Sequence, residues 1–288
     1  MKKKITEIIE YLALLIFYYF SKLLGLRISS FTGGIIMSIY GMLSGKNNVA
    51  IKNLDKIFPN KNVNEKKKIV HKMWFHFGRV IGEYPHLENI KTLTNKNISI
   101  RGLNNLINGL EKNRNCLFFS AHLGNWELTS HPLTESGYNI SFIYRAPNNK
   151  LVDNLLRKIR NKYGVKLIKK GSEGAKDCIS VLKREGGNIG MLIDQKMNDG
   201  IEAKFFNYKT MTASAIAKFS LKYKCPIIPA VCVRKRGVQF EISYLPEVSY
   251  EKIVNLKTEL NIMNYLNTYV EKWIKECPDQ WIWIHNRW

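Results

Sequence analysis

The sequence lacks the cysteine patterns that hold disulfide-rich and zinc-binding proteins together. Its five cysteines are odd in number, scattered and without a CxxC pair: Cys116, Cys178, Cys225, Cys232 and Cys277. Disulfide frameworks and zinc sites use paired cysteines at short, regular spacings. The pattern therefore argues against both and is typical of a reducing compartment. We expect no metal site.

Acidic residues are also scarce, and the chain has no internal repeat and no linker rich in Pro, Gly or Ser. The 45 Lys and Arg against 23 Asp and Glu give a formal net charge of +22. Such a surplus attracts nucleic acid, anionic lipid head groups, phosphorylated substrates or an acidic carrier protein, and charge alone does not choose among these. With 288 residues and 45% hydrophobic residues, the chain is long and apolar enough to bury a core as one domain.

No uncharged apolar run reaches the ~20 residues of a clear membrane span. The apolar stretch 5–26 contains Glu7, Glu10 and Lys22, and a second uncharged stretch, 28–45, contains Gly33 and Gly34. No small-residue cleavage site follows, which argues against a secretory signal peptide. We predict that residues 1–45 form a membrane-anchoring segment, either a short span or a helix in the interface. The alternative is an ordinary buried helix.

From residue 97 onward, short apolar runs alternate with longer amphipathic ones, as expected for an α/β domain. Residues 46–288 should therefore form a single domain with a mixed, mostly parallel sheet flanked by helices, preceded by the N-terminal hydrophobic helix. We expect a loop from residue 194 to Tyr208. Predicted strands cover 98–100, 116–121, 138–144, 165–168, 189–193, 226–233 and 238–244, and predicted helices cover 103–110, 151–163, 173–184, 212–223 and 256–276, with a further helix beginning near Asn125.

The segment SAHLGNWE carries the chemistry. His122 follows a buried apolar strand, and Glu127 lies in the first turn of the helix expected after it. A neutral imidazole can take a proton from an alcohol, and a carboxylate on its other nitrogen fixes the tautomer. Gly124 allows the sharp turn that would let Glu127 reach back to His122. We predict His122 and Glu127 as a catalytic pair; a histidine unrelated to catalysis is the alternative.

HLGNWE resembles the hallmark of the late acyltransferases of lipid A biosynthesis, the lauroyl/myristoyl transferase family. The resemblance continues in order through NLDKIFP, YRAPNN, GMLIDQKMNDG, FFNYKTMT and the tail QWIWIHNRW, so it covers nearly the whole chain. One departure concerns FFNYK, where the family usually has Gly at the position of Asn207. This departure leaves the shape of that loop open.

The resemblance implies a glycerolipid acyltransferase-like fold and an acyl carrier protein thioester as the donor, with no other cofactor. The acceptor would be a hydroxyl of a lipid A precursor of the Kdo-lipid IVA type, with His122 as general base and Glu127 orienting it. No covalent acyl-enzyme is expected, because Ser120 is too close in sequence to His122 to pair with it comfortably. The implied location is the bacterial inner membrane, with the catalytic domain on the cytoplasmic face.

Four further residues are candidate substrate-binding groups. Asn125 can cap the following helix or donate to the oxyanion. Arg145 follows a strand and can bind a phosphate or a sugar acid, or it forms a surface ion pair. Asp194 ends the strand GMLID and pairs with Arg145 or another cation, or satisfies backbone N–H groups. Arg287 belongs to an aromatic tail that packs most simply against the domain.

The helix predicted over 151–163 is basic, with Arg157, Lys158, Arg160 and Lys162, and Lys169 and Lys170 follow it. This surface can meet an acidic carrier protein or anionic lipids, or it is only a solvated face.

Three other functions are alternatives. A glycerophospholipid acyltransferase usually carries an FPEG-type phosphate motif. This sequence has no such motif and has DQKMNDG in its place. A thioesterase differs only in accepting water. A nucleic-acid-binding protein would show zinc spacing, a helix-turn-helix signature or stacked aromatics, and the sequence has none of these motifs. We predict that nucleic acid is not a partner, and that membrane lipids are.

Overall fold

The computed structural model describes residues 2–288, with side chains from Lys4 onward. Ten α-helices occur in this part of the chain: α1 Lys2–Leu43, α2 Lys46–Ile57, α3 Val63–Glu83, α4 Leu103–Lys112, α5 His131–Glu135, α6 Lys150–Lys162, α7 Ser172–Lys183, α8 Ala215–Tyr223, α9 Tyr250–Asn255 and α10 Glu259–Glu276. Short 3-10 helices cover Tyr84–Asn89, Trp126–Ser130 and Pro278–Gln280.

The strands are β1 Ile98–Arg101, β2 Leu117–Ser120, β3 Ile140–Tyr144, β4 Val165–Lys169, β5 Asn188–Leu192, β6 Lys196–Phe205, β7 Tyr208–Thr212, β8 Ile227–Arg236 and β9 Gln239–Tyr244. Seven of them form one sheet in the order β1-β9-β8-β2-β5-β3-β4. The five strands from β8 to β4 are parallel, and β9 is antiparallel to β8. The predicted α/β fold with a mixed, mostly parallel sheet is confirmed, and all seven predicted strands belong to this sheet.

The sheet is buried on both faces, which explains why its central strands are continuous apolar runs. In β2, Leu117 and Phe119 pack into the core on one face, while Phe118 packs with Cys116 into the core on the other. All of β2 is therefore hidden, and only the residues beyond its carboxyl end can reach a cleft.

Two local predictions were wrong. The expected loop up to Tyr208 contains β6, which pairs antiparallel with β7 in a separate two-stranded sheet. The strand is hard to recognise from the sequence because residues 196–202 are all exposed or partly exposed, and only Ala203 and Phe205 of β6 are buried. The helix expected near Asn125 is instead a 3-10 helix of five residues followed by the short α5.

The β6–β7 turn explains the departure at Asn207. Phe206 and Asn207 both have positive φ, 51° and 62°, between the paired residues Phe205 and Tyr208. Two-residue hairpin turns of this kind require positive φ at both positions, and Asn tolerates this conformation nearly as well as Gly. The turn is therefore compatible with Asn at this position.

Helix α1 lies within the anchor of residues 1–45 predicted from the sequence. It runs over 42 residues and contains one non-helical position, Gly25, with φ 73° and ψ 162°. The division of the chain into an anchor of residues 1–45 and a domain of residues 46–288 stays a prediction.

Candidate active site

His122 and Asp194 meet because their strands are neighbours in the sheet. In the parallel pair β2–β5, Leu117 lies opposite Ile189 and Ser120 opposite Leu192, a constant offset of 72 residues. His122 and Asp194 are also 72 residues apart, each two positions beyond its strand. The carboxyl ends of parallel strands meet at one edge of the sheet, where ligands bind in open α/β folds.

Asp194 holds His122 through both of its carboxylate oxygens. Oδ1 lies 2.9 Å from the imidazole Nδ1, and Oδ2 accepts a hydrogen bond from the His122 backbone N–H at 3.0 Å. Because an ionised carboxylate only accepts hydrogen bonds, the ring proton is on Nδ1. The neutral ring therefore carries its lone pair on Nε2, as a general base requires.

The aspartate remains ionised although it is fully buried. Burial raises the pKa of Asp194, but the charge and hydrogen bond of His122, the charge of His285 and the Trp281 indole together hold it well below its ordinary value. The indole Nε1–H donates to Oδ2 at 2.8 Å. Three donors thus hold one carboxylate, which keeps it fixed in position.

The predicted hydrogen bond between Glu127 and His122 is wrong. Glu127 instead accepts two hydrogen bonds from the Arg160 guanidinium, at 2.5 and 3.0 Å, and one from the Tyr163 hydroxyl at 2.9 Å. The 3-10 geometry after Asn125 turns the carboxylate toward α6 rather than back to the histidine. The carboxylate that pairs with His122 is that of Asp194, 72 residues away in sequence.

Glu127 is also a buried carboxylate with a low pKa. Burial raises the pKa, and the charge and hydrogen bonds of Arg160, aided by Tyr163, lower it below its ordinary value. In return, Glu127 raises the pKa of Arg160 against the opposing effect of burial. Arg160 and Tyr163 belong to the site although the sequence did not assign them to it. The high proportion of cations in α6 concealed this one inward-facing arginine.

The His122–Asp194 and Glu127–Arg160 pairs open on one cavity of about 820 Å³. His122 is 22% exposed and lies against the Trp126 ring, with centroids 5.2 Å apart. The walls are mainly apolar and include Phe77, Val80, Ile81, Phe142, Met191 and Phe219, while Arg145, Lys169, Lys170 and Lys196 supply cations. An apolar cavity with a few convergent polar groups is typical of a ligand site.

Asn125 takes neither of its predicted roles. Its side chain is fully buried, makes no capping hydrogen bond and donates to the Glu83 carboxylate at 2.8 Å. Glu83 is itself paired with Arg234 through both oxygens. Asn125 therefore fixes the loop that carries His122, together with Gly124, where φ is +61° and a Cβ would lie 1.7 Å from the Cys232 carbonyl oxygen.

The two remaining candidates, Arg145 and Arg287, have different outcomes. Arg145 is exposed, lines the cavity and forms no ion pair among the described side chains, so it stays a candidate for binding an anion. Arg287 is fully buried and donates to the hydroxyls of Thr210 and Thr212. The structure contradicts its predicted role as a substrate ligand, because it anchors the C-terminal tail away from the cavity.

That tail is nevertheless part of the site. Leu123 and Trp281 form an antiparallel bridge, and the Gly124 N–H donates to the Gln280 carbonyl at 3.1 Å. Asn53 donates to the carbonyls of Trp283 and His285. Residues far apart in sequence thus converge on the loop that carries His122.

The comparison with known families decides the assignment. The sequence model of the bacterial lipid A biosynthesis acyltransferases matches residues 2–288. This chain belongs to that family. A search of curated proteins returned no match. Family membership makes the chain an acyltransferase of lipid A biosynthesis, and members are associated with the bacterial membrane.

Within the described residues, no group of three or more His, Cys, Asp or Glu is placed to hold a metal ion. A second cleft of about 350 Å³ lies at the amino ends of β2 and β8, and none of the predicted site residues lines it.

Proposed function

We propose that the chain transfers a fatty-acyl group from an acyl carrier protein thioester to a hydroxyl of a lipid A precursor of the Kdo-lipid IVA type. The observation that carries the proposal is the buried Asp194 carboxylate on Nδ1 of His122, in a pair that opens on a largely apolar cavity of about 820 Å³. A cavity of this size and character suits an acyl chain.

In this mechanism His122 Nε2 takes the proton of the acceptor hydroxyl as its oxygen attacks the thioester carbonyl carbon. Asp194 stabilises the imidazolium that forms. The carbon–sulfur bond then breaks, and the leaving thiolate takes the proton from His122. No acyl-enzyme is needed: Ser120 is 3% exposed, and its Oγ has no hydrogen-bond partner among the described residues.

Glu127 has a different role from the one first expected. With its charge held by Arg160 and Tyr163, it presents an ordered guanidinium at the cavity wall. We assign Glu127 to positioning Arg160 at the wall of the cavity, where the guanidinium would stabilise negative charge that develops on the substrate. Preorganised donors of this kind are the main source of stabilisation in acyl transfer.

The basic surface near the cavity suits the acidic carrier. Arg157 and Lys158 on α6 are exposed, as is Lys170 after β4, and none of the three forms an ion pair among the described residues. Exposed cations without partners raise the rate of association with an oppositely charged protein. Lys162 and Lys169 are already paired with Glu88 and Asp153 and contribute less.

Membrane lipids are proposed as the third partner, at the cytoplasmic face of the inner membrane. Within Lys4–Leu43 of α1, an 18-residue window has a mean hydropathy of 1.5, and only 11% of that window is buried. Exposed apolar area of this size is rare on a soluble monomer and indicates an interaction site.

The test is mass spectrometry of products formed by the purified full chain from acyl carrier thioesters and the lipid A precursor. We expect an acylated precursor from the native chain and a loss of at least ~10³ in rate for His122→Ala, in the range of lost general-base catalysis. The matched control, His71→Ala, removes an exposed histidine of α3 and should be neutral. Free fatty acid as the sole product would indicate a thioesterase instead, and full activity of His122→Ala would exclude the mechanism.

A further inference from the structure

Helix α1 is too long for one membrane crossing. At about 1.5 Å per residue its 42 residues extend for about 63 Å, roughly twice the ~30 Å thickness of the hydrocarbon layer. Gly25 divides it into two halves, and Lys22 and Arg27 lie on either side of this break. Each half alone is long enough to cross the membrane. Whether it does so depends on the parts of the protein against which it packs.

The first half of α1 lies along α6. Near its start, the Asn149 side chain at the beginning of α6 donates to the Glu7 carbonyl and to Glu10. Near its end, Lys22 pairs with Glu88, which also pairs with Lys162, the last residue of α6. The two helices are therefore parallel neighbours over the whole length of α6.

Helix α6 cannot follow α1 into hydrocarbon. Arg157, Lys158 and Lys162 are exposed on it, and charged side chains are strongly disfavoured in the bilayer interior. If the first half of α1 crossed the membrane, it would either carry these cations into the hydrocarbon or lose its contacts with α6. The hydrogen bonds of Asn149 at one end and the ion pairs of Glu88 at the other oppose separation.

The second half of α1 is held against α3 in the same way. Ser29 donates to the Gly82 carbonyl at 2.6 Å, and a Cβ on Gly33 would lie 2.4 Å from the Gly78 carbonyl oxygen. Ser30 donates to Glu83, the partner of Arg234. Since α3 also lines the cavity, this half of α1 is fixed to the catalytic domain.

The exposed side of α1 is mainly apolar, apart from a few charged residues such as Glu10 and Arg27. Of the 22 exposed large hydrophobic side chains among the described residues, sixteen lie on α1, including Ile16, Leu23, Ile36 and Leu43. A helix that is docked on protein along one side and exposes apolar side chains along the other can lie in the plane of the interface, with the apolar side chains about 5–10 Å into the boundary between head groups and acyl chains. The neighbouring cations of α6 are then level with anionic head groups.

We infer that α1 does not cross the bilayer but lies along its surface, docked on α6 and α3, with its outer apolar face among the acyl chains. This inference rests on the membrane attachment proposed above. It predicts that the start, the middle and the end of α1 are all on the side of the membrane that carries the catalytic domain. The lipid A precursor would then approach the cavity without leaving its leaflet.

The test is the sidedness of single cysteines introduced into the full chain at exposed positions: Lys4→Cys, Arg27→Cys, Lys46→Cys and, on the body of the domain, the control Lys112→Cys. The background carries Cys277→Ser. The other four native cysteines are buried, and burial raises the pKa of Cys225 to about 11 and of Cys232 to about 12, so these thiols react poorly.

A membrane-impermeant maleimide is applied to inverted inner-membrane vesicles and to spheroplasts. We expect all four cysteines to be labelled in the same preparation and protected in the other. Labelling of Lys4→Cys from the opposite face would overturn the inference in favour of one span. Opposite labelling of Arg27→Cys alone would indicate a helical hairpin and overturn it too. Release of the chain from vesicles by high salt alone would show that charge, and not the apolar side of α1, holds the protein to the membrane. This outcome would also overturn the inference. None of these outcomes depends on enzyme turnover. A failure of this inference can therefore be distinguished from a failure of the proposed activity.

Discussion

Asp194 and Glu127 are two ionised carboxylates at the same cavity, and they differ in the cation that each one holds. Asp194 is fully buried and bonds an imidazole, which can gain and lose a proton near neutral pH. Glu127 bonds a guanidinium, which keeps its charge throughout. The partner therefore determines the role: Asp194 supports proton transfer, whereas Glu127 supports a fixed positive charge. Sequence proximity to the histidine is a poor guide to this difference.

The largest effect should come from Asp194→Asn. The amide keeps the shape of the side chain but can donate to Nδ1, so the imidazole takes the wrong tautomer, which costs about 10⁴ in kcat in a comparable carboxylate–histidine pair. Rates of acyl transfer at saturating substrate measure it. A loss below about tenfold would contradict the role of Asp194.

Besides its effect on the rate, Glu127→Gln should lower the stability of the fold. It leaves the Arg160 charge without its buried partner, and breaking a buried ion pair costs about 3–5 kcal/mol of unfolding free energy. Chemical denaturation measures the loss. The control is Glu241→Gln, whose partners Arg101 and Lys235 are exposed, and about 0–1 kcal/mol is expected there. Equal losses in the two variants would mean that the Glu127 pair is not buried as described.

Trp281→Phe tests whether the C-terminal tail contributes to the rate of acyl transfer. It removes one donor to Asp194, and a hydrogen bond to a charged group is worth about 1.5–3 kcal/mol, or roughly 10- to 100-fold in rate.

The matched control for that variant is Trp283→Phe. Trp283 is equally buried and packs against Trp281, but its indole donates to the Pro278 carbonyl. A purely structural role for Trp281 would give both variants the same loss in the rate of acyl transfer.

The smallest effect concerns the pH dependence of stability. Burial is the main cause that lowers the pKa of His285 to about 4, and neither ring nitrogen has a hydrogen-bond partner among the described residues. Between pH ~6.5 and ~4 the unfolded chain binds a proton at this site that the folded chain does not, so stability falls as the pH falls through this window, by up to ~1.4 kcal/mol per unit. His285→Phe should reduce this slope, and His71→Phe, at an exposed position, should not. Denaturation curves at several pH values decide between the slopes.

Much of the fold was predictable because the central strands are buried on both faces and appear as apolar runs, as in β2 and β5. The fold class and the position of His122 at a sheet edge follow from that pattern. The order of strands does not, since it depends on tertiary packing. Without knowing that β2 and β5 are neighbours, the sequence offers no reason to pair His122 with a residue 72 positions away.

Other parts of the site were concealed for local reasons. The 3-10 helix after Asn125 directs Glu127 toward α6, and its five residues give no helical periodicity to recognise. Arg160 has the same charge as its exposed neighbours on α6, so only its burial distinguishes it. Arg287 was identified as a candidate for its charge, but Thr210 and Thr212 hold it inside the domain.

The central claim is that Asp194 acts through His122 and Glu127 does not. It is tested most directly by measuring the residual acyl transfer of His122→Gln with and without each second substitution. We expect Asp194→Asn to lower this residual rate by less than about twofold, because residues that act as a unit are not additive, whereas Glu127→Gln should lower it further. The reverse pattern, with Glu127→Gln silent and Asp194→Asn additive, would contradict the account.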